Sequence, residues 1–366
     1  MAYRSVSWPA SSNSRSEGGP GAGGRLILAC LMAAVLFTTS LAHKSDGCRA
    51  DISKPLWAAR MHYVMGTMLE IQMPSIDSNG RLFAALFDIA RHHDEVFSTF
   101  KPDSPVSRFN RLGRRGAPFP APAEMIELAS LSQRFSGQTK GAFDVTVGPL
   151  VRLWREAAIR KQWPRVDEIR AARGRVGSSL LAVDSKAQAI TALSDGVELD
   201  FNGIAKGYCV DKMAGALRGE GVARAFINFG ESSIYALGND PDGGPWGVAV
   251  RDPRRPARAQ LMLRLSDMAI SSSGSYEHSS RVAGRAVNHI IDPRTGMPAR
   301  IARAVTVVAP NATVAEALSK PLTILPVAEG LGLLAGFPGA EAIIFYRSGT
   351  GHWRRAMSRG MKKFVE

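Results

Sequence analysis

Apolar residues recur at the spacing of an amphipathic helix in several parts of the chain. Leu82, Leu86 and Ile89 follow this spacing, which continues to Phe97. Because residues three and four apart share one face of a helix, we predict a helix over residues 81–97 that packs on a core. Four further helices are predicted, over residues 123–135, over 205–217, from Thr313 onwards and over 327–334.

In other segments apolar and polar residues alternate, which is the pattern of a half-buried strand. A strand is predicted over residues 63–73. Residues 105–122 are rich in turn-forming residues, and residues 141–149 are predicted to form a loop with a short strand. Shorter strands are predicted near residue 189 and at 197–201, 223–228, 233–236, 246–250, 261–265, 304–308 and 342–346.

Helices and strands are mixed along the chain without a regular strand–helix–strand alternation. This order predicts an α+β (mixed α/β) fold with several short-stranded sheets and packed helices. No change of composition divides residues 61–366, so we predict a single two-lobed domain there. The full length of 366 residues leaves ample chain for a buried core.

The chain is basic, with 46 Lys and Arg against 32 Asp and Glu residues and a net charge of +14. Such a charge favours anionic partners, nucleotides among them. The basic residues are scattered and form no long Lys/Arg run, so we expect no nucleic-acid partner. Three cysteines without a C-x-x-C pair do not make a disulfide framework and give no sign of a zinc site.

The N-terminus has the layout of an export signal. Basic residues precede the apolar run 26–37, and Ser40-Leu41-Ala42 supplies small residues for cleavage. The run is shorter than the roughly 20 residues that span a membrane. We therefore predict an exported protein with a signal peptide over residues 1–42 and a linker over 43–60. An uncleaved N-terminal anchor is one alternative, and lipidation at Cys48 is another.

The segment from Leu199 to Tyr208 is the first with groups suited to chemistry. It combines a strand end with Asp200, a flexible turn at Gly203 and Lys206 at the start of a predicted helix. Backbone N–H groups at a helix start, beside a lysine, suit a phosphate. The spacing of a P-loop is absent, and an ordinary strand–turn–helix with a surface lysine is the alternative.

Two further segments are rich in polar residues. Ser271–Ser275 follows a predicted apolar strand, and its hydroxyls suit either a phosphate cradle or a simple turn. The other segment places His289, Asp292 and Arg294 around an Asp-Pro turn. We interpret it either as the lining of an anionic pocket or as a structural turn.

Thr313 and Glu316 have the spacing of a capping box. In that arrangement the Glu316 carboxylate returns to the Thr313 amide and has only a structural role. Pro321 disfavours helical geometry at the preceding residue, Lys320.

Taken together and in this order, the motifs resemble those of the ApbE family, the FAD:protein FMN transferases. The resemblance runs from about Met61 to the C-terminus. The resembling segments are 65–67, 97–100 with Ser107 and Asn110, 141–149, 200–208, 272–274, 289–296 and 315–321.

The resemblance implies an activity. FAD is bound, and its FMN moiety is moved onto a Thr or Ser hydroxyl of an acceptor protein, with release of AMP. It also implies a periplasmic protein, or one anchored to the outer face of the inner membrane through its N-terminus, and an exported acceptor that carries a flavinylation motif. One alternative is a periplasmic protein that binds or hydrolyses FAD with weak or no transfer, and another is a periplasmic binding protein of other function.

The resemblance also assigns residues to roles. His289 and Asp292 are candidates for positioning or activating the acceptor hydroxyl. Apolar Met and Phe side chains suit the flanks of the isoalloxazine, and lysine suits a phosphate. The residues at flavin-binding positions are Met65, Phe100, Ala142, Phe143, Asp144, Asp200, Lys206, Ser273 and Ile290.

A Mg²⁺ site is implied at Gly203, Ala205, Glu316 and Ser319, but Lys320 stands where the family has a threonine ligand. A protonated lysine does not ligate a cation. Three interpretations stay open. Lys320 neutralises the pyrophosphate in place of part of the metal's role, or it points away while Mg²⁺ binds Glu316 and water, or the chain is a catalytically weak flavin binder.

Two other features bear on activity. The segment Gly230-Glu231-Ser232-Ser233 stands where the family often has Gly-Gly-Asp, and the glycine lost to Glu231 changes the backbone options there. The chain lacks an acceptor sequence of the form Asp-Gly-x-Ser/Thr-Gly-Ala-Thr, so it resembles the modifying enzyme and not its target.

Overall fold

An antiparallel sheet of eight strands organises the structure, a computed structural model that describes residues 56–75, 79–274, 279–299 and 303–366. The sheet order is β1-β2-β6-β7-β10-β13-β14-β15. In chain order the strands are β1 (Trp57–Val64), β2 (Thr67–Pro74), β3 (Pro118–Pro120), β4 (Leu181–Asp184), β5 (Ala189–Ala192), β6 (Ala225–Phe229), β7 (Ser233–Leu237), β8 (Trp246–Asp252), β9 (Arg255–Leu265), β10 (Met268–Gly274), β11 (Ser279–Val282), β12 (Arg285–Asn288), β13 (Arg303–Ala309), β14 (Glu341–Arg347) and β15 (Trp353–Met357).

Helices cover one face of this sheet and fill the connections. Residues Leu56–Glu366 form one unit of contacts, and the predicted leader over 1–42 lies outside the described residues. Within the described ranges, no helix combines the length and apolar character needed to cross a membrane. The α-helices are α1 (Asn79–Phe97), α2 (Pro105–Leu112), α3 (Ala123–Gln138), α4 (Gly148–Arg160), α5 (Val166–Arg173), α6 (Ala205–Gly219), α7 (Ala312–Ile324) and α8 (Val327–Leu333).

The two faces of the sheet bury different apolar sets because side chains alternate along a strand. On β7, Tyr235 and Leu237 belong to the main core with α6 and α7. Ile234 and Ala236 point to the opposite face, into a second core that includes Trp246 of β8. The hairpin β8–β9 therefore covers the face that the helices leave open.

A third apolar cluster lies apart from the sheet. Leu150 and Trp154 of α4 pack there with Val282, Val287 and Ile291 of the β11–β12 hairpin and the turn after it. This cluster fixes the position of the 288–296 turn relative to α4. The remaining strands form the small sheet β3-β5-β4.

The strongest sequence patterns predicted their elements correctly. The helices predicted over 81–97, 123–135, 205–217 and 327–334 correspond to α1, α3, α6 and α8. Of the shorter predicted strands, the segment 197–201 forms only an isolated bridge, between Glu198 and Val147. The prediction of a mixed α+β fold is confirmed.

The predicted strand over 63–73 is a hairpin. Met65 has φ of 49° and Gly66 has φ of 75°, which is the left-handed geometry of a two-residue hairpin turn. Residues 57–60, which we placed in the linker, are the first half of β1. The linker therefore ends earlier than predicted.

Two turn-rich segments contain helices that the pattern did not predict. Ser104 accepts a hydrogen bond from Ser107 N–H and caps α2, with Pro105 in the first turn. The predicted strand within 141–149 is absent, and α4 begins at Gly148 instead. Ser271 to Ser273 lie inside β10 and do not form a turn after it.

Pro321 lies inside α7 and does not end it. An interior proline costs about 3 kcal/mol. Leu318 and Leu322 are buried against the sheet, and each contributes about 1.5–3 kcal/mol. Packing on the sheet therefore outweighs the local preference, and Lys320 is held in helical geometry.

Candidate functional site

The loop that leads into α4 is fixed by a buried carboxylate, Asp144. Its Oδ2 accepts a hydrogen bond from the Ser136 hydroxyl at 2.9 Å, and its Oδ1 accepts from Thr146 N–H at 2.9 Å and the Thr146 hydroxyl at 2.6 Å. Ala142 and Phe143 are also buried. Asp144, predicted to bind the flavin, thus holds its own loop through Oδ1 and ties that loop to α3 through Oδ2.

The turn before α6 is tied to that loop. Asp200 N–H donates to Val145 O at 2.7 Å, and the Asp200 carboxylate accepts from Asn202 N–H at 2.8 Å. Burial raises the pKa of Asp200, and the hydrogen bonds from Asn202 and the positive charge of Arg155 oppose this in part. Arg155 also lies 5.1 Å from the ring centre of the exposed Phe100. Asp200 and Phe100 therefore share one neighbour.

Lys206, in the first turn of α6, connects this turn to the sheet. Its Nζ donates to Ser232 Oγ at 2.6 Å, in the turn between β6 and β7. The neighbouring Gly230 packs so closely on the β1–β2 hairpin that a Cβ there would lie 2.6 Å from Thr67 Oγ1. Glu231 has φ of 57°, a left-handed conformation that glycine adopts without strain. The departure from Gly-Gly thus places a side chain at a strained position.

Glu316 and Lys320 of α7 form a polar niche with Ser319 and with Ser273 of β10. The Glu316 side chain is 2% exposed, and its Oε2 accepts from Gly207 N–H at 2.5 Å. Lys320 Nζ lies 4.0 Å from Glu316 Oε1, 3.1 Å from Ser319 Oγ and 3.4 Å from Ser273 Oγ. We call these four residues the α7 niche.

The predicted capping box is wrong. Asn311 caps α7 by accepting from Val314 N–H, and Thr313 N–H donates to Asp211 Oδ2 at 2.8 Å. The Glu316 carboxylate therefore does not return to the Thr313 amide. It is free of that local role and turns to the start of α6.

The turn at 289–296 is ordered by Asp292. Its Oδ1 accepts from Arg294 Nε and its Oδ2 from an Arg294 terminal nitrogen, both at 3.0 Å. Trp154 Nε1 donates to Gly296 O at 2.8 Å and ties the turn to α4. His289 is half-buried and Ile290 is buried. Asp292 therefore holds the shape of the turn, and His289 lies at its start.

Contacts between these loops form one continuous series. A Cβ at Gly203 would lie 3.6 Å from Lys320 Cε and 3.8 Å from Phe143 Cε2, and one at Gly141 would lie 3.6 Å from Arg294 Cγ. The β1–β2 turn, the β6–β7 turn and the end of β10 lie at the same end of the sheet. The predicted residues thus lie on loops that touch one after another.

Sequence reasoning missed two neighbours of the site. Arg155 lies on α4, which had no helical signal, and Ser232 lies in the turn where the departure from the family pattern concerned the lost glycine and not this hydroxyl. A cavity of about 680 Å³ lies elsewhere, lined by residues of α3, α6 and the start of α7, among them Arg134, Asp211 and Lys212. None of the predicted site residues lines that cavity.

The α7 niche does not fit a divalent cation as it is arranged. Mg²⁺ prefers six oxygen ligands in octahedral geometry. The niche offers one carboxylate, which already accepts a backbone N–H and faces an ammonium, and two hydroxyls that bond each other. Among the described residues, no group of three or more His, Cys, Asp or Glu side chains is placed to hold a metal.

Comparison with known proteins adds a second line of evidence. Residues 65–344 match the model of the ApbE family. FAD:protein FMN transferases of Salmonella typhimurium and Escherichia coli are 32% and 31% identical over 269 residues, which is 71% of this chain and 76% of theirs.

Solved structures give the same result. The flavin transferase ApbE from Vibrio cholerae superposes with a TM-score of 0.74 at 25% identity, over 85% of this chain and 99% of that one. The apo form of the Pseudomonas stutzeri flavinyl transferase ApbE has a TM-score of 0.74 at 29% identity, over 86% and 98% of the two chains.

Proposed function

Because the chain belongs to the ApbE family, we propose that it transfers the FMN moiety of FAD onto a Thr or Ser hydroxyl of an acceptor protein and releases AMP. The observation that carries this proposal is the series of contacts that joins the 141–146 loop, the start of α6 and the α7 niche. Lys206 lies in the first turn of α6 and Lys320 packs on the Gly203 turn before it, and two positive charges at one place favour an anion.

The reaction is a phosphoryl-group transfer. The acceptor hydroxyl oxygen bonds to the flavin-side phosphorus, and the bond from that phosphorus to the bridging oxygen breaks. The electron pair of the broken bond leaves with AMP, and the hydroxyl proton passes to a base. Catalysis of such a step depends on positioning and on neutralising the charge of the phosphates.

His289 is the base in this proposal. Both oxygens of Asp292 accept from Arg294, so Asp292 holds the turn and does not take the proton. An imidazole titrates near neutral pH and suits proton transfer. The Arg294 side chain packs on Gly141. This contact couples the 289–296 turn, which contains His289, to the 141–146 loop.

The flavin end of the substrate is assigned to the rim of the site. Phe100 is 59% exposed, and Arg155 stacks on its ring. Met65 forms the β1–β2 hairpin turn, at the end of the sheet that also carries the β6–β7 turn. An exposed aromatic ring and a thioether suit the faces of an isoalloxazine.

No step of the proposed reaction is assigned to Mg²⁺. The Mg²⁺ site predicted at Gly203, Ala205, Glu316 and Ser319 has these residues close together, but Lys320 lies among them and the donor set does not fit the ion. The residues that carry the proposed chemistry are therefore those of the chain itself.

Export is part of the proposal. The order of basic, apolar and small residues within 1–42 supports a periplasmic protein, or one anchored to the outer face of the inner membrane. The partner is then an exported acceptor that carries a flavinylation motif.

Transfer is tested with the purified full chain, FAD and a peptide carrying the acceptor motif. We expect a fluorescent flavinyl-peptide and one AMP per transfer. His289→Ala is expected to slow transfer by about 10²–10⁴-fold, since a general base contributes that much. His352→Ala, at an exposed position far along the chain, is the matched control and is expected to keep the wild-type rate.

Other results would point elsewhere. Free FMN and AMP without a labelled peptide would support the FAD-hydrolysing alternative. Equal rates for His289→Ala and the wild type would remove His289 from the chemistry.

A further inference from the structure

The ammonium group of Lys320 lies at the centre of the α7 niche. It is held by Ser319 Oγ at 3.1 Å and Ser273 Oγ at 3.4 Å, with Glu316 Oε1 at 4.0 Å. The Lys320 side chain is 19% exposed, so it is largely enclosed but still reaches the surface of the niche. Its stem packs on the Gly203 turn.

The charge of Glu316 requires a partner. This carboxylate is 2% exposed, and an ionised carboxylate so deeply buried is costly unless it is paired and hydrogen-bonded. Gly207 N–H supplies a hydrogen bond and Lys320 supplies the opposite charge. Lys320 therefore performs toward Glu316 the electrostatic role that a bound cation would perform.

A second cation cannot join this arrangement without displacing the first. At such short range a divalent ion and an ammonium repel strongly, even at the effective dielectric of a protein surface. Mg²⁺ is usually held by one or two carboxylates, and the niche offers a single carboxylate that already faces the ammonium. Either Lys320 or a divalent ion occupies the niche, but not both.

We propose that the Lys320 ammonium is a built-in replacement for a divalent cation, so that this chain neutralises the phosphates of FAD and transfers FMN without a metal ion. The inference rests on the proposed function and adds a catalytic residue to it. Lys320 exchanges no proton in the step. Lys206, in the first turn of α6, supplies the second positive charge.

The test uses the full chain and two substitutions of Lys320. Lys320→Thr removes the ammonium and adds an oxygen, which leaves a position that a cation can occupy beside Glu316. Lys320→Met keeps the length of the side chain without charge or oxygen. Lys186→Thr, at an exposed lysine in the turn between β4 and β5, is the control for loss of a positive charge. Thermal melting verifies that each variant is folded.

The first readout is the binding of Mn²⁺ in the absence of FAD, monitored by electron paramagnetic resonance. We expect Lys320→Thr to bind Mn²⁺, and the wild type, Lys320→Met and Lys186→Thr not to bind it. Binding by the wild type as tight as by Lys320→Thr would overturn the proposal. Absence of binding by Lys320→Thr would also overturn it, because the niche would then not be a cation position.

The second readout is FMN transfer in EDTA and in excess Mg²⁺. The wild type is expected to be equally fast in both. Lys320→Thr is expected to lose about 10²-fold in EDTA and to recover in Mg²⁺, and Lys320→Met to lose as much without recovery. A wild type that is inactive under both conditions would refute the proposed function. A wild type that is active only with Mg²⁺ would refute only the proposed role of Lys320.

Discussion

Buried polar side chains hold the site together through partners that are distant in sequence. Glu316 accepts a hydrogen bond from Gly207, which lies 109 residues away, and Thr313 donates to Asp211 over 102 residues. Local spacing predicted that Glu316 and Thr313 would bond each other. A motif of four residues carries no information on a competing carboxylate from another helix, so the types of site residues were predictable and their partners were not.

His93 is a buried titratable group that makes the stability of the fold depend on acid pH. It is 3% exposed, lies against the ring of Phe97 and the edge of Tyr208, and has no hydrogen-bond partner at Nδ1 in the described part of the chain. Burial, with help from the charges of His92 and Lys212, lowers the pKa of His93 to about 4, and Glu124 and Glu127 oppose this.

The sign of the pH dependence follows. The unfolded chain takes up a proton at His93 near pH 6.5, and the folded chain does so only near pH 4. Stability is therefore lost as the pH falls through that window, by up to about 3 kcal/mol.

His93→Phe is expected to remove this loss. Urea unfolding at pH 7 and pH 4.5 measures it, with His352→Phe as the exposed control. A wild type and a His93→Phe variant that lose the same free energy of unfolding between the two pH values would contradict the assignment.

At the scale of elements, the sequence predicted the helices whose apolar residues recur with a clear helical period. The helices α1, α3 and α6 have clear apolar faces and were placed to within a few residues. The helix α4 was missed because it begins with Gly148-Pro149, which is typical of a turn. A Cβ at Gly148 would lie 2.8 Å from Glu198 Cβ, so the glycine is required by packing.

Strand β10 was misplaced for a related reason. Ser271 and Ser273 face the helices and are 1% and 6% exposed. Polar residues at these inward positions hide the alternation that marks a strand. Ser273 lies there because it faces the α7 niche, so the pattern fails where the site begins.

Helix α7 carries the niche, and Asp211 anchors the start of this helix. The Asp211 carboxylate accepts from the N–H groups of Ala312 and Thr313 at 2.7 and 2.8 Å and from the Thr313 hydroxyl. Asp211→Ala leaves these donors without an acceptor and is expected to cost about 2–3 kcal/mol of unfolding free energy.

Asn311→Ala, which removes only the N-terminal cap of the same helix, is the comparison and is expected to cost about 1 kcal/mol. Chemical denaturation of both variants measures the difference. Equal losses would mean that Asp211 is no more than a second cap.

At the scale of the molecule, the site depends on the order of strands in the sheet. β2 pairs with β6, although about 150 residues of chain separate them. That pairing brings the Met65 turn beside the β6–β7 turn, and hence beside Lys206. Hydrophobic periodicity is local and does not predict such pairings between distant strands. The resemblance of the ordered motifs to one family implied them, because it implied the fold of that family.

The position of bound FAD tests the central claim most directly, and a crystal structure of the full chain with FAD measures it. We predict the diphosphate within hydrogen-bond reach of Lys206 and Lys320, with the isoalloxazine at the rim formed by Met65 and Phe100. FAD in the 680 Å³ cavity lined by Arg134 and Lys212, or on any surface away from both Lys206 and Lys320, would contradict the account.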